Sequence, residues 1–94
     1  MAVLIDDPLW WWRGRRWCHM VSDTSLEELH DFAAALSIPR RSFQGDHYDI
    51  PEEYRQDMVA AGAQEVGSRE LLRRLRAAGL RLTPEQRRQR AGRP

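Results

Sequence analysis

Trp17-Cys18-His19-Met20-Val21-Ser22-Asp23-Thr24-Ser25-Leu26-Glu27-Glu28-Leu29-His30 changes its period partway along. Up to Ser22 the residues suit a β-strand, with Trp17, His19 and Val21 on one face and Cys18, Met20 and Ser22 on the other. From Leu26 the apolar positions fall three and four apart. Leu26, Leu29, Phe32, Ala33 and Leu36 form one helical stripe, Glu27, Glu28 and Asp31 lie away from it, and His30 sits at its margin. Between the two patterns, Thr24 with Glu27 or Ser25 with Glu28 meets the capping-box spacing, which gives the first free backbone N–H groups of a helix their partners. Ser37-Ile38-Pro39 ends the helix. A strand passing through a cap into a helix is the unit of an α/β domain.

Upstream, Ala2-Val3-Leu4-Ile5 reads as a short buried strand closed by Asp6-Asp7-Pro8, because proline cannot continue a ladder. Leu9 to Arg16 has no periodicity and reads as a loop. A link without a helix favours antiparallel pairing of the first two strands. Downstream, Arg40 to Gln44 is expected as a third strand ended by Gly45. Asp49-Ile50-Pro51-Glu52 is expected to start a second helix, with Asp49 as its cap and Pro51 in its first turn. Tyr54, Met58 and Ala61 supply its apolar face and Gly62 its end. Gln64-Glu65-Val66 is a weaker strand pattern. Ser68 opens a third helix with Leu71, Leu72, Leu75 and Ala78 inward and Arg69, Arg73, Arg74 and Arg76 outward. The expectation is an α/β fold in the order β-β-α-β-α-β-α, with a small, mainly parallel sheet of three to four strands. Residues 1–82 would form a single domain and 83–94 an Arg-rich flexible tail.

Ninety-four residues, 41% hydrophobic and 31% charged, suit one soluble domain with one modest core. No apolar run approaches the roughly 20 residues of a membrane span. The short, uncharged start lacks a secretory pattern. Cys18, the only cysteine, excludes an internal disulfide and suits a reducing compartment. These features lead us to expect a cytoplasmic protein with no membrane partner. The charge is uneven: six Arg against twelve Asp and Glu up to residue 68 (−6), then nine Arg against two Glu (+7). A solvated helix face and a tail account for the basic end without a dedicated nucleic-acid stripe.

The densest chemistry lies in Phe43-Gln44-Gly45-Asp46-His47-Tyr48-Asp49-Ile50-Pro51. His47 with Asp46 and Asp49 has the residue types for proton transfer or for a divalent metal. Asp6, Asp7, His19, His30 and His47 are the candidate metal ligands, although no HExxH, paired CxxC or EF-hand spacing is present. Asp23, Gln44, Tyr48, Arg40 and Arg41 are candidates for holding a phosphate-bearing ligand, a nucleotide or a nucleic acid, near helix N-termini. Structural duties compete with these roles. Asp23 and Asp49 are cap types, His19 and His30 fit a core, and antiparallel first strands would separate Asp6-Asp7 from Asp23. Cys18 and His19 point to opposite faces of a strand, so a thiolate pair is set aside. Trp10, Trp11, Trp12 and Arg13 offer an interaction surface, for a homodimer or for stacked bases. Three functional readings follow: a phosphate-ligand site with metal-assisted hydrolysis, a non-enzymatic module that dimerises through its tryptophans while the polar cluster is structural, or nucleic-acid binding through the Arg-rich end and the tryptophans.

The ordered set Val3-Leu4-Ile5-Asp6-Asp7, Trp12-Arg13-Gly14, Cys18-His19-Met20, Ser22-Asp23, Glu28-Leu29-His30, Arg40-Arg41 with Phe43-Gln44, His47-Tyr48-Asp49 and Ala61-Gly62-Ala63 resembles the bacterial and phage family called domain of unknown function 4031. The resemblance runs from residue 2 to about residue 80. It implies a small stand-alone bacterial or phage-borne protein and carries no activity with it. Trp11 stands where that pattern usually has proline.

Overall fold

In the computed structural model, which describes residues 2–90, five strands form one mixed sheet. They are β1 (Val3–Ile5), β2 (Trp10–Trp12), β3 (Arg15–Ser22), β4 (Tyr48–Pro51) and β5 (Gln64–Glu65). The helices are α1 (Leu26–Ala35), α2 (Arg55–Ala60), α3 (Ser68–Ala77) and α4 (Pro84–Arg90), with 3-10 turns at Arg40–Ser42 and Glu52–Tyr54. None is long and apolar enough to cross a membrane.

The α/β class is as expected, but the sheet is mostly antiparallel. Only β1 and β5 run parallel. β3 is the central strand. Its Trp17 pairs with Trp10 and with Pro51, and its Met20 pairs with Ile5 and with Tyr48. β1 and β2 therefore share one edge of β3 and β4 takes the other. The antiparallel pairing of the first two expected strands, now β1 and β3, is present.

Pro8 has no N–H, so the β1–β3 ladder cannot run on regularly into β2. The Asp6 carboxylate fills the gap by accepting the His19 backbone N–H at 2.6 Å, while Asp6 N–H donates to the His19 carbonyl at 3.1 Å. The segment expected as a loop over Leu9 to Arg16 is a hairpin instead. Arg13 and Gly14 both have positive φ, 52° and 77°, the conformation of the type I′ turn that matches strand twist.

Two further expectations are overturned. Arg40 to Gln44 is a 3-10 turn leading to an isolated Phe43–Tyr48 bridge, not a third strand. Tyr48–Pro51 is a strand, so Asp49 caps no helix; the helical backbone begins after Pro51. The region from 83 onward, expected as a flexible tail, is helical over Pro84–Arg90; residues 91–94 lie outside the described residues.

Alternation along the strands builds a core on each face of the sheet. Ile5, Cys18, Met20, Tyr48 and Ile50 pack with Leu29 and Ala33 of α1 and Met58 of α2. Leu4 and Val21 pack on the other face with Leu71 and Leu75 of α3. The α1 start keeps the predicted cap at Ser25, whose hydroxyl accepts from Glu28 N–H at 3.1 Å. The Glu28 carboxylate turns to the Ser22 hydroxyl instead of closing the box. The α3 face matters most for function. His19 lies on it, two residues from Val21, at the end of the sheet where α3 begins.

Candidate metal centre

The register of β3 against β4 places His19 directly opposite Asp49. His47, two residues before Asp49, shares its face by strand alternation. One ligating atom each from His19, His47 and Asp49 lies within 4.8 Å of the others. This spacing suits three donors around one cation.

Both imidazoles are oriented in the same way. His19 Nδ1 is 2.8 Å from Asp6 Oδ2, and His47 Nδ1 is 2.7 Å from Asp46 Oδ1. Both aspartates are fully buried. A carboxylate only accepts, so each ring donates through Nδ1, and Nε2 is the nitrogen left for another partner. Metal-bound histidines are held in this manner by outer carboxylates. The Asp6 carboxylate also accepts from Ser68 Oγ at 3.1 Å, which ties it to the first residue of α3. The Asp46 carboxylate accepts the Leu82 backbone N–H at 3.0 Å, and the guanidinium groups of Arg81 and Arg87 lie 3.8 and 3.9 Å from it.

Asp49 Oδ1 is the exception in this network. Among the described residues it is the buried side-chain polar atom left without a hydrogen bond. It lies 3.1 Å from His47 Nε2, close enough for charge attraction but outside hydrogen-bonding geometry. Burial resists charging of the His47 ring, yet Asp46 and Asp49, facing its two nitrogens, outweigh burial and raise its pKa above the ordinary value. The same contact acts on Asp46: burial works against its ionisation, but the bonds from His47 and Leu82 hold its carboxyl below the usual range. A position between His47 Nε2 and Asp49 Oδ1 therefore favours positive charge.

His19 and His47 form a wall shared by two cavities. The inner one, of about 200 Å³, runs under α3 past Asp6, Ser68, Leu71 and Arg81. The outer one, of about 630 Å³, is bounded by Trp10, Gln44, Asp49, Pro84, Arg87 and Arg88. Trp10 stacks on His19 with ring centroids 4.4 Å apart. A larger groove of about 900 Å³ on the α1–α2 side is lined mostly by apolar groups around Leu36, Ile38, Tyr54 and Met58, with no comparable convergence of polar atoms.

The structure brings together His19, His47, Asp46, Asp49, Asp6, Gln44 and Trp10. It places the other candidate residues elsewhere. Asp23 is at the far end of β3, bonded to Ala2 N–H and Arg74. Asp7 is exposed, 3.7 Å from Arg55. Tyr48 points to the α1 face, where its hydroxyl meets His30 Nδ1 at 2.7 Å; burial first, then Arg40, lowers the His30 pKa. Arg41 lines the apolar groove, and Trp11, Trp12 and Arg13 extend along the hairpin. Sequence reasoning missed Ser68 as a partner of Asp6, and Arg81, Arg87 and Arg88 as the cations beside the cavity.

Comparison with curated proteins and with solved structures returned no match. A family model does match, over residues 3–78, and its description is protein of unknown function. That span covers all five strands of the sheet, α1 to α3, and every residue of the His19, His47 and Asp49 cluster, so the chain belongs to the DUF4031 family.

Proposed function

We propose that the domain binds a divalent transition-metal ion through His19 Nε2, His47 Nε2 and Asp49 Oδ1 and uses it on a phosphate-bearing ligand. The observation that carries this reading is the paired orientation of the histidines by buried Asp6 and Asp46, with Asp49 Oδ1 buried, 3.1 Å from His47 Nε2, and within reach of the same cation. Two imidazoles and one carboxylate suit zinc, manganese or iron and leave positions for water and ligand. Arg87 and Arg88 at the outer cavity and Arg81 at the inner one supply charge for a phosphate.

The reaction such a centre supports is phosphoester hydrolysis. A cation held by His19, His47 and Asp49 would make a bound water easier to deprotonate, the proton passing to solvent, and so would supply the oxygen that attacks phosphorus. The new P–O bond forms as the bond to the leaving alcohol oxygen breaks, and that oxygen takes a proton from solvent.

The test combines thermal shift and calorimetric titration with Mn²⁺ and Zn²⁺. Wild type is expected to bind one ion per chain. Asp49→Asn and His47→Ala should lose that binding while remaining folded by circular dichroism. The absence of binding by any divalent ion, or unchanged binding in both variants, would overturn the metal reading. Chelator-sensitive cleavage of a p-nitrophenyl phosphodiester tests the hydrolytic step, and metal binding with no cleavage would limit the site to a non-hydrolytic role.

A further inference from the structure

We infer that the β2–β3 ribbon binds a single-stranded polynucleotide and leads its backbone into the outer cavity. The class of ligand deepens the reading above and rests on it for what happens at the metal. Trp10 lines that cavity beside His19 and Asp49, and along β2 Trp12 shares its face while Trp11 points to the opposite one. Trp11 is 65% and Trp12 52% exposed, which is large for indoles in a small domain with two cores. Each carries a cation: the Arg16 guanidinium lies 5.3 Å from the Trp11 ring centre and that of Arg13 lies 4.5 Å from Trp12. An exposed ring stacks a base of any identity, and a guanidinium beside it meets the attached phosphate.

The charge pattern selects this occupant over a second copy of the chain. Residues 10–17 contain Arg13, Arg15 and Arg16 and no carboxylate, and of the three Arg15 is paired with Glu53 at 3.4 Å. A twofold contact through this ribbon would set its arginines against one another, because such an interface uses the same patch on both copies. Arg87 and Arg88, on the α4 side of the cavity, have the same sign. A polyanion with unstacked aromatic bases complements both rims at once. A duplex presents its phosphates but keeps its bases stacked.

The experiment is fluorescence anisotropy of labelled dT and rU dodecamers, a matching duplex and dTMP, at rising salt. The expected result is tighter binding of the single strands than of duplex or mononucleotide, weakening steeply with salt. Trp12→Ala should weaken it by roughly five- to hundredfold, the range for losing one stacked base, and Trp11→Ala, on the opposite face, should weaken it less. Those variants leave His19, His47 and Asp49 untouched, so their metal binding should match wild type and confirm folding. Equal affinity for duplex, or unchanged affinity in Trp12→Ala, overturns the inference. So does a sedimentation dimer that dissociates on Trp12→Ala, since that face of the ribbon would then be occupied by a second copy. Metal binding without oligonucleotide binding defeats this inference alone, and oligonucleotide binding without metal binding defeats the metal reading alone.

Discussion

Asp6→Asn separates the metal-orienting role of Asp6 from its role in folding. The wild-type carboxylate accepts three bonds: His19 N–H at Oδ1, and His19 Nδ1–H and Ser68 Oγ–H at Oδ2. Asparagine keeps Oδ1 and so preserves the bond that bridges the ladder between β1 and β2. It puts an NH₂ donor where Oδ2 was. His19 must then accept at Nδ1, which moves its proton to Nε2, and Ser68 must turn its hydroxyl to accept. The bonds survive in number but lose their charge assistance, a cost of about 1–2 kcal/mol. For a domain of this size each kcal/mol lowers Tm by about 4–8 °C.

The metal effect is larger in proportion. With Nε2 protonated, one of the proposed ligands must change tautomer before it can bind, and loss of an orienting carboxylate typically weakens metal binding about 10- to 100-fold. Urea denaturation measures the first effect, calorimetric Mn²⁺ or Zn²⁺ titration the second, and long-range ¹H–¹⁵N NMR of the His19 ring shows the tautomer. Asp6→Ala serves as the contrast. It leaves the His19 N–H and Ser68 hydroxyl without their acceptor, and should cost about 3 kcal/mol or more, since each stranded group costs about 1–3 kcal/mol. Unchanged metal affinity in Asp6→Asn, or a His19 ring still protonated at Nδ1, would refute the orientation argument.

Gly45 has φ +98°, and a Cβ there would lie 2.7 Å from Arg87 Cα and 2.9 Å from Arg87 O; Gly45→Ala should cost about 1–2 kcal/mol through its backbone alone and also speed hydrogen exchange over 84–90, so unaltered exchange there would contradict the close packing. Burial first, then the charge of Asp6, pushes the Cys18 thiol up to about 12, so native protein should resist iodoacetamide at neutral pH and react once unfolded in urea; prompt alkylation of native protein would show that the thiol is open. Asp23 is held below the usual carboxylate range: burial works against ionisation, but bonds from Ala2 N–H, Arg74 and Thr24 overcome it. A depressed folded pKa contributes stability above the ordinary carboxylate value that is lost as pH falls through the lower one. The wild-type stability curve should therefore drop more steeply below about pH 4 than that of Asp23→Asn, and parallel curves would refute the assignment.

What the sequence reveals depends on how local each signal is. The strand–cap–helix passage from Trp17 to Leu36 is legible because alternation, capping and helical spacing all sit within the segment. Tyr48–Pro51 is not, because Asp49 followed by Pro51 and Glu52 imitates a helix start, while burial alternation supports a strand and appears only against β3. The error has a functional cost: once 47–49 is extended, His47 and Asp49 fall on one face with His19 opposite. The hairpin is hidden because Arg13 takes a positive φ usually left to Asn or Gly. α4 has a local signal that its polar composition obscures. Thr83 and Gln86 form a reciprocal capping box, with bonds of 2.9 and 3.2 Å, and Pro84 occupies the first helical position.

That last helix alters how the centre should be understood. The proposed ligands lie within the matched residues 3–78, whereas Leu82, Arg87 and Arg88 lie beyond them. Leu82 N–H and the nearby Arg87 act on Asp46, and Asp46 orients His47. The segment after α3 therefore does two things at once: it keeps Asp46 ionised, so that His47 donates through Nδ1, and it raises a basic wall opposite Trp10. On the proposed reading, a polyanion entering between those walls would compete with Asp46 for Arg87. Arg87 also donates to the Leu82 carbonyl at 3.0 Å, so drawing it away would loosen the residue whose N–H holds Asp46. The orientation of His47 is thus coupled, through Arg87, Leu82 and Asp46, to the charge of what binds.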